Sequence, residues 1–102
     1  MLDLTAVNRR YFQVKFNGRV LDVEPPKLKT LNKLVSIAKA AGNGDAEAFA
    51  DMTPLIAQLL SKNKKNIRIS ASIVEESLDT DGMILLLTEF LSWINQEKND
   101  PN

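Results

Sequence analysis

The sequence contains neither cysteine nor histidine. Without cysteine the chain forms no disulfide and offers no thiolate as a nucleophile or metal ligand, which suits a reducing compartment. Without histidine it lacks the commonest general base and the commonest metal ligand in proteins. No remaining nucleophile and base stand at a recognised spacing. We therefore expect a protein that is not an enzyme and that binds no metal and no cofactor.

The sequence also has no excess of charge of either sign. Lys plus Arg and Asp plus Glu both number 13, so the formal net charge is zero. A balanced chain has no general attraction to nucleic acid or to an anionic membrane, and we expect neither as a partner. No apolar run approaches the roughly 18 residues of a membrane span. The first ten residues lack the apolar stretch of a signal peptide, so we expect a soluble, intracellular protein.

The length and composition predict one globular domain over residues 1–102. The chain is 44% hydrophobic and 25% charged, which is ordinary for a protein with a packed core. Residues 1–10 mix apolar and polar positions without a clear period, and we expect a loosely ordered arm there. Residues 99–102, Asn-Asp-Pro-Asn, are expected to form a polar tail.

The clearest local pattern predicts a β-hairpin. Asn17 and Gly18 are typical of a two-residue type I′ turn, in which both central residues have positive φ. The turn sets the register, and it places Phe16 opposite Arg19 and Phe12 opposite Val23. In this register one face of the hairpin is apolar, comprising Phe12, Val14, Phe16, Leu21 and Val23. Because a lone hairpin is marginally stable in water, we expect this face to cover helices.

The longest apolar stripe lies near the end of the chain, in residues 79–98. Its apolar residues recur at helical spacing and include Met83, Leu86, Leu87, Phe90 and Ile94. Since this stripe is wider than any other in the sequence, we expect its helix to be the most buried element. We also expect the other helices and the hairpin to pack against it.

Helices are predicted between the hairpin and this last segment. Residues 28–41 have an amphipathic pattern, with Gly42 as the expected residue after the helix end. Asp45 is a predicted N-cap for the next helix, in which Pro54 leaves open two helices or one kinked helix. Ser70 or Ser72 is expected to cap a short third helix, Ser72 within a Ser72-x-x-Glu75 capping box. The fold class is thus α+β, an N-terminal antiparallel hairpin on a bundle of three to five helices.

Two clusters of charge are candidate sites of low specificity. Residues 75–81 contain four acids, Glu75, Glu76, Asp79 and Asp81, whose spacing lacks the other oxygen ligands of a calcium loop. Acids at the start of a helix are the favoured interpretation, because they suit the helix dipole. Residues 62–68 contain four basic side chains but no aromatic residue for base stacking, so a solvated loop is favoured there.

The order of these features resembles the small tail assembly chaperones of long-tailed bacteriophages, especially those of Gram-positive hosts and their prophages. The resemblance begins at Tyr11 and covers nearly all of the chain that follows. The matching segments are the Phe-x-Val-x-Phe-Asn-Gly hairpin, Val20–Glu24 with Pro25-Pro26, the helix Leu28–Ala41, and the segments Leu59–Lys64, Ile73–Asp79, Phe90–Ile94 and Asn99–Asn102.

This resemblance implies an interaction protein of the host bacterial cytoplasm. Such chaperones bind the long, apolar tape measure protein, keep it soluble, and help to recruit the major tail protein that forms the tail tube. They are absent from the mature virion and have no catalytic residues to transfer. The alternative function is that of a structural phage component, such as a head–tail connector or a minor tail protein.

A chaperone of this kind needs an exposed apolar patch for its client. We expect Met83, Leu86 and Trp93 to contribute to it, as one side of a helix that lies in a groove of the client. The alternative is that all three side chains belong to the core. We also expect weak self-association, through an edge of the hairpin or through a helix face. A two-stranded sheet has two open edges, although Lys15 and Arg19 are residues that can blunt them.

Overall fold

A computed structural model of the chain describes the backbone of residues 10–99 and the side chains of residues 10–95. The elements are two strands, β1 (Phe12–Phe16) and β2 (Arg19–Val23), followed by four helices, α1 (Leu28–Gly42), α2 (Ala46–Ser61), α3 (Ala71–Ser77) and α4 (Thr80–Asn99). The predicted α+β class, a hairpin on a helical bundle, is confirmed. Residues 1–9 of the predicted arm and residues 100–102 of the predicted tail lie outside the described residues, whereas Asn99, predicted as the first residue of the tail, is the last residue of α4.

The hairpin has the register that its turn residues predict. Phe12 pairs with Val23 and Phe16 pairs with Arg19 in an antiparallel ladder. Asn17 has φ of 51° and Gly18 has φ of 79°, as a type I′ turn requires. The apolar face is turned inward, with Phe16 and Leu21 buried in the core.

The segment after α2 folds back against β2 rather than forming a solvated loop throughout. Asp22 accepts a backbone hydrogen bond from Lys64 at 2.9 Å, and the N–H of Glu24 donates to the carbonyl of Lys62 at 2.8 Å. Between these two bonds, Asn63 lies opposite Val23 in an isolated antiparallel bridge. This short segment therefore covers the outer edge of β2 over its second half.

The end of α1 differs from the prediction by two residues. Gly42 is the last helical residue, Asn43 follows as the C-cap, and Gly44 has the left-handed φ of 86°. The N–H of Gly44 donates to the carbonyl of Ala41 at 3.0 Å, and that of Asp45 donates to Ala40 at 3.2 Å. These two bonds are a Schellman motif with Gly44, not Gly42, as the residue after the cap.

Helix α2 is the centre of the fold, and the prediction that α4 is the most buried element is wrong. Helix α2 packs against α1, α3, α4 and β2. Half of its residues are buried, whereas α4 leaves Ile84 and Leu85 exposed. The stripe of α4 is wide in sequence because it includes apolar residues that the core does not cover.

Pro54 lies inside α2, which runs as one helix from Ala46 to Ser61. Proline has no N–H, so the carbonyl of Ala50 lacks its usual helical donor, and Ala50 is exposed where water can bind it. Asp45 caps the helix as predicted, because its side chain accepts a hydrogen bond from the N–H of Glu47.

The last two helices begin at side-chain caps. Ser70 caps α3 by accepting from the N–H of Ile73 at 3.2 Å, so the predicted capping box at Ser72 does not form. Asp79 accepts from the N–H of Gly82 at 2.8 Å at the start of α4. Within residues 10–99, no helix is both long enough and apolar enough to span a membrane.

Candidate interaction site

An apolar groove lies between the first strand and the last helix. Its apolar walls are formed by three side chains of β1 and three at or near the start of α4, namely Phe12, Val14, Phe16, Leu78, Leu85 and Leu86. Lys15 and Glu89 stand at its rim, and its volume is about 270 Å³. We call this feature the β1–α4 groove.

The helical period of α4 divides its apolar residues between the core and this groove. Leu87 and Phe90 point into the core and are almost fully buried. Leu85 is displaced from them around the helix, and 61% of its surface is exposed. Ile84 is also exposed, on the side where α4 approaches α1. An exposed leucine beside an apolar groove is a surface that can bury further area against a partner.

The structure places the three sequence-predicted binding residues mainly in the core. Met83 is 7% exposed and Leu86 is 9% exposed. The sulfur of Met83 accepts a weak hydrogen bond from the hydroxyl of Thr53 at 3.9 Å. Leu86 lines the groove but has little exposed surface. Burial thus removes Met83 and most of Leu86 from the surface that a partner meets.

Trp93 is half-buried and belongs to an aromatic cluster. Its ring centroid lies 5.6 Å from that of Phe12 and 5.7 Å from that of Phe90. The guanidinium carbon of Arg10 stands 4.3 Å from the centroid of the Trp93 ring, a cation–π contact. The indole therefore helps to hold the hairpin against α4 through its contacts within the chain.

The groove residues that the sequence prediction missed are Leu85 and the β1 side chains. A signal for them was present. Phe12, Val14 and Phe16 alternate along an edge strand, and Leu85 widens the α4 stripe beyond one face. What the sequence does not reveal is that α2, rather than the hairpin, fills the space beneath the middle of α4.

The outer edge of β1 carries main-chain groups that no other described residue pairs. In a two-residue hairpin the closing residues, Phe16 and Arg19, form a hydrogen-bonded pair, and pairing alternates from there. The N–H and C=O groups of Gln13 and Lys15 therefore point away from β2. Within residues 10–99 no backbone hydrogen bond reaches them from outside the hairpin. This open edge borders the β1–α4 groove.

The two charge clusters lie within the described part of the chain. No group of three or more acids there is arranged to hold a metal ion. In the basic segment, the Lys64 ammonium stands 5.5 Å from the centroid of the Tyr11 ring. A pocket of about 320 Å³ between the hairpin turn and α3 has a mixed lining that includes Arg19 and Arg68.

The basic segment is held by two polar side chains that the sequence prediction did not single out. Asn63, only 2% exposed, donates to the carbonyls of Leu60 and Ile67 at 2.8 and 2.7 Å and accepts from the N–H of Ile67 at 2.9 Å. The hydroxyl of Ser61 donates to the carbonyl of Ile69 and accepts from its N–H. These bonds fix the segment that covers β2.

Comparison of the chain with protein-family models, with curated proteins and with solved structures gives no match.

Proposed function

We propose that this protein is a non-catalytic tail assembly chaperone of a long-tailed bacteriophage. In this role it binds an apolar segment of the tape measure protein, keeps it soluble in the host cytoplasm, and helps to recruit the major tail protein. The proposal rests on the sequence resemblance from Tyr11 onward, and on one structural observation. That observation is the β1–α4 groove, an apolar surface left open beside the buried core.

The groove supports this role because its walls are apolar and its rim is not. A holding chaperone gains affinity by burying apolar area of the client, at roughly 25 cal/mol per Å². Leu85 is the residue with most area left to bury there, whereas Met83 and Leu86 have little. We therefore assign client contact to Leu85 and to the half-buried Phe12 and Val14, in place of the predicted set of Met83, Leu86 and Trp93.

The test is co-expression with the tape measure protein of the same phage. We expect the intact chain to keep the client in the soluble fraction, and Leu85→Asp to lose most of this effect, because the charge enters the groove. Leu28→Asp is the matched control, since Leu28 is also an exposed helical leucine, at 69%, but lies on α1 outside the groove. Urea unfolding should give both variants nearly the stability of the parent chain.

Two results would contradict the proposal. One is a client that is equally insoluble with and without the intact chain. The other is recovery of the protein as a stoichiometric part of purified virions, which would instead favour a head–tail connector or minor tail protein. Loss of the effect in both aspartate variants would leave the chaperone role standing but remove the groove as its site.

A further inference from the structure

We propose that β1 pairs with the β1 strand of a second copy of the chain, antiparallel and about a two-fold axis at Val14. In this arrangement Gln13 of each copy lies opposite Lys15 of the other. The two hairpins become one four-stranded sheet, and each β1–α4 groove is covered by the second copy. In the absence of a client, the groove of each copy is therefore covered by the β1 surface of the second copy.

The main-chain geometry supports this pairing. Gln13 and Lys15 both direct their N–H and C=O groups outward, and an axis at Val14 uses all of these groups in four hydrogen bonds. In this register, residues whose main-chain groups point outward on one strand lie opposite residues of the same kind on the other strand, as hydrogen bonding requires. Placing the axis at Lys15 instead would set two lysines opposite each other, which is unfavourable.

The rest of the sheet explains why the pairing stops at two copies. The segment 62–64 covers the outer edge of β2 at Asp22 and Glu24, so β1 carries the longer open edge within residues 10–99. When two copies pair through β1, the open main-chain groups of both β1 strands are hydrogen-bonded, and neither β1 edge is left to bind a third copy. The result is a closed, isologous dimer rather than a growing sheet.

The charges on the exposed face are complementary across the proposed junction. In one copy the Gln13 amide nitrogen donates to the Asp22 carboxylate at 2.8 Å. The carbonyl oxygen of that amide then remains as an acceptor for the Lys15 ammonium of the second copy. A row of polar side chains then crosses the junction, from the Asp22 carboxylate through the Gln13 amide of one copy to the Lys15 ammonium of the other. The two-fold axis produces a second, identical row.

The other face of the junction is apolar. Side chains alternate along a strand, so Phe12, Val14 and Phe16 of the second copy lie on the same side as those of the first. There the half-buried Phe12 and Val14 stand over the open part of the groove, beside Leu85, while Phe16 stays in the core of its own copy. Burial of this leucine and of the groove walls supplies the apolar contribution that main-chain pairing alone lacks.

The pairing itself goes beyond the proposed function and does not depend on it. A consequence that does rest on the proposed function is competition, since a client and a second copy bury the same groove. Tests of the pairing use the purified chain without a client, so their failure is separate from failure of the solubility assay. A monomer that still solubilises its client would refute the dimer and leave the chaperone role intact.

The first experiment is sedimentation of the full chain with two proline variants. Lys15→Pro removes an outward donor from the open edge of β1 and spares the bonds between β1 and β2. Val20→Pro is the matched control, because it removes an outward donor at the directly paired position of β2. Losing two donors per dimer should raise the dissociation constant by about tenfold or more for Lys15→Pro and leave it nearly unchanged for Val20→Pro.

Charge reversal gives a second test that keeps every main-chain donor. Lys15→Glu places an acid beside Gln13 and Asp22 of the second copy, and we expect it to weaken the dimer. Adding Asp22→Lys reverses the other end of the row, and the double variant should recover much of the loss. Failure of the double variant to recover, with both chains folded by circular dichroism, would contradict the proposed register.

Amide hydrogen exchange locates the contact directly. The amides of Gln13 and Lys15 should gain protection as the protein concentration rises through the dimer transition, whereas that of Val20 should not. A strict monomer at sub-millimolar concentration would overturn the proposal. A dimer that Lys15→Pro and Val20→Pro weaken equally would also overturn it. A third contrary result is a monomer in which the amides of Gln13 and Lys15 are protected at every protein concentration.

Discussion

The ring of Phe12, on the first strand, meets the ring of Phe90, on the last helix, edge to face. Their centroids are 5.3 Å apart and their planes are inclined at 78°, a favourable arrangement for two aromatic rings. Phe90 is fully buried, and Trp93 lies against both rings. This cluster joins the two ends of the described chain, and its Phe12 also lines the β1–α4 groove.

Trp93→Ala should therefore destabilise the fold rather than remove a client contact alone. The variant loses two ring contacts and the stacking of Arg10, but the indole is only half-buried. We expect a loss of about 2 kcal/mol in the free energy of unfolding, below the cost of truncating a fully buried tryptophan. Urea denaturation measures it. An unchanged midpoint would show that the cluster adds no stability, and an unchanged midpoint together with loss of client solubility would return Trp93 to the set of binding residues.

The hairpin could be predicted in full because its determinants are local. Asn17 and Gly18 fix the turn, the turn fixes the register, and the alternation from Phe12 to Phe16 agrees with it. The central position of α2 was not predictable in this way. The pattern of α4 reveals which residues are apolar, whereas the amount of burial depends on how many other elements pack around the helix.

The sequence predicted an exposed apolar patch on α4, formed by Met83, Leu86 and Trp93, and did not predict the β1–α4 groove. The excess of apolar positions on α4 indicated that some would remain exposed. Which of them do so depends on the angle at which α4 crosses the hairpin and α2, and no sequence pattern encodes that angle. Met83 and Leu86 consequently lie in the core, and the neighbouring Leu85 lies at the surface.

The buried side chain of Asn63 is expected to stabilise the segment that covers β2. Asn63→Ala leaves the carbonyls of Leu60 and Ile67 without their side-chain donor and the N–H of Ile67 without its acceptor. We expect a loss of about 3 kcal/mol in unfolding free energy, since buried polar groups left unpaired are costly. Asn63→Asp should be at least as damaging, because it replaces the two donated bonds by repulsion between oxygens.

Lys65→Ala provides the control for this loss. Lys65 lies in the same segment but is exposed, so its substitution should change the stability by no more than about 0.5 kcal/mol. Equal effects at positions 63 and 65 in urea denaturation would mean that the bridge to β2 is formed by the main chain alone.

The N-cap of α3 is decided by two serines. Ser70→Ala removes the hydroxyl that accepts from the N–H of Ile73, and we expect it to cost about 1 kcal/mol. Ser72→Ala should leave the stability unchanged or raise it by about 0.3 kcal/mol, because Ser72 is exposed within the helix, caps nothing, and alanine has the higher helix propensity. Chemical denaturation of the two single variants compares them directly. The reverse order would restore the capping box that the sequence favours.

The end of α1 allows the same substitution to be tested at two glycines with opposite expected signs. Gly42 is the last helical residue with open space around its Cα, so Gly42→Ala should stabilise the fold by about 0.5 kcal/mol or more, through helix propensity. Gly44 has φ of 86°, where a side chain is strained, so Gly44→Ala should cost about 1 kcal/mol. Thermal or urea unfolding of both variants measures the difference. If Gly42→Ala is instead the damaging change, the helix ends at the residue that the sequence pattern predicts, and the Schellman motif lies two residues earlier.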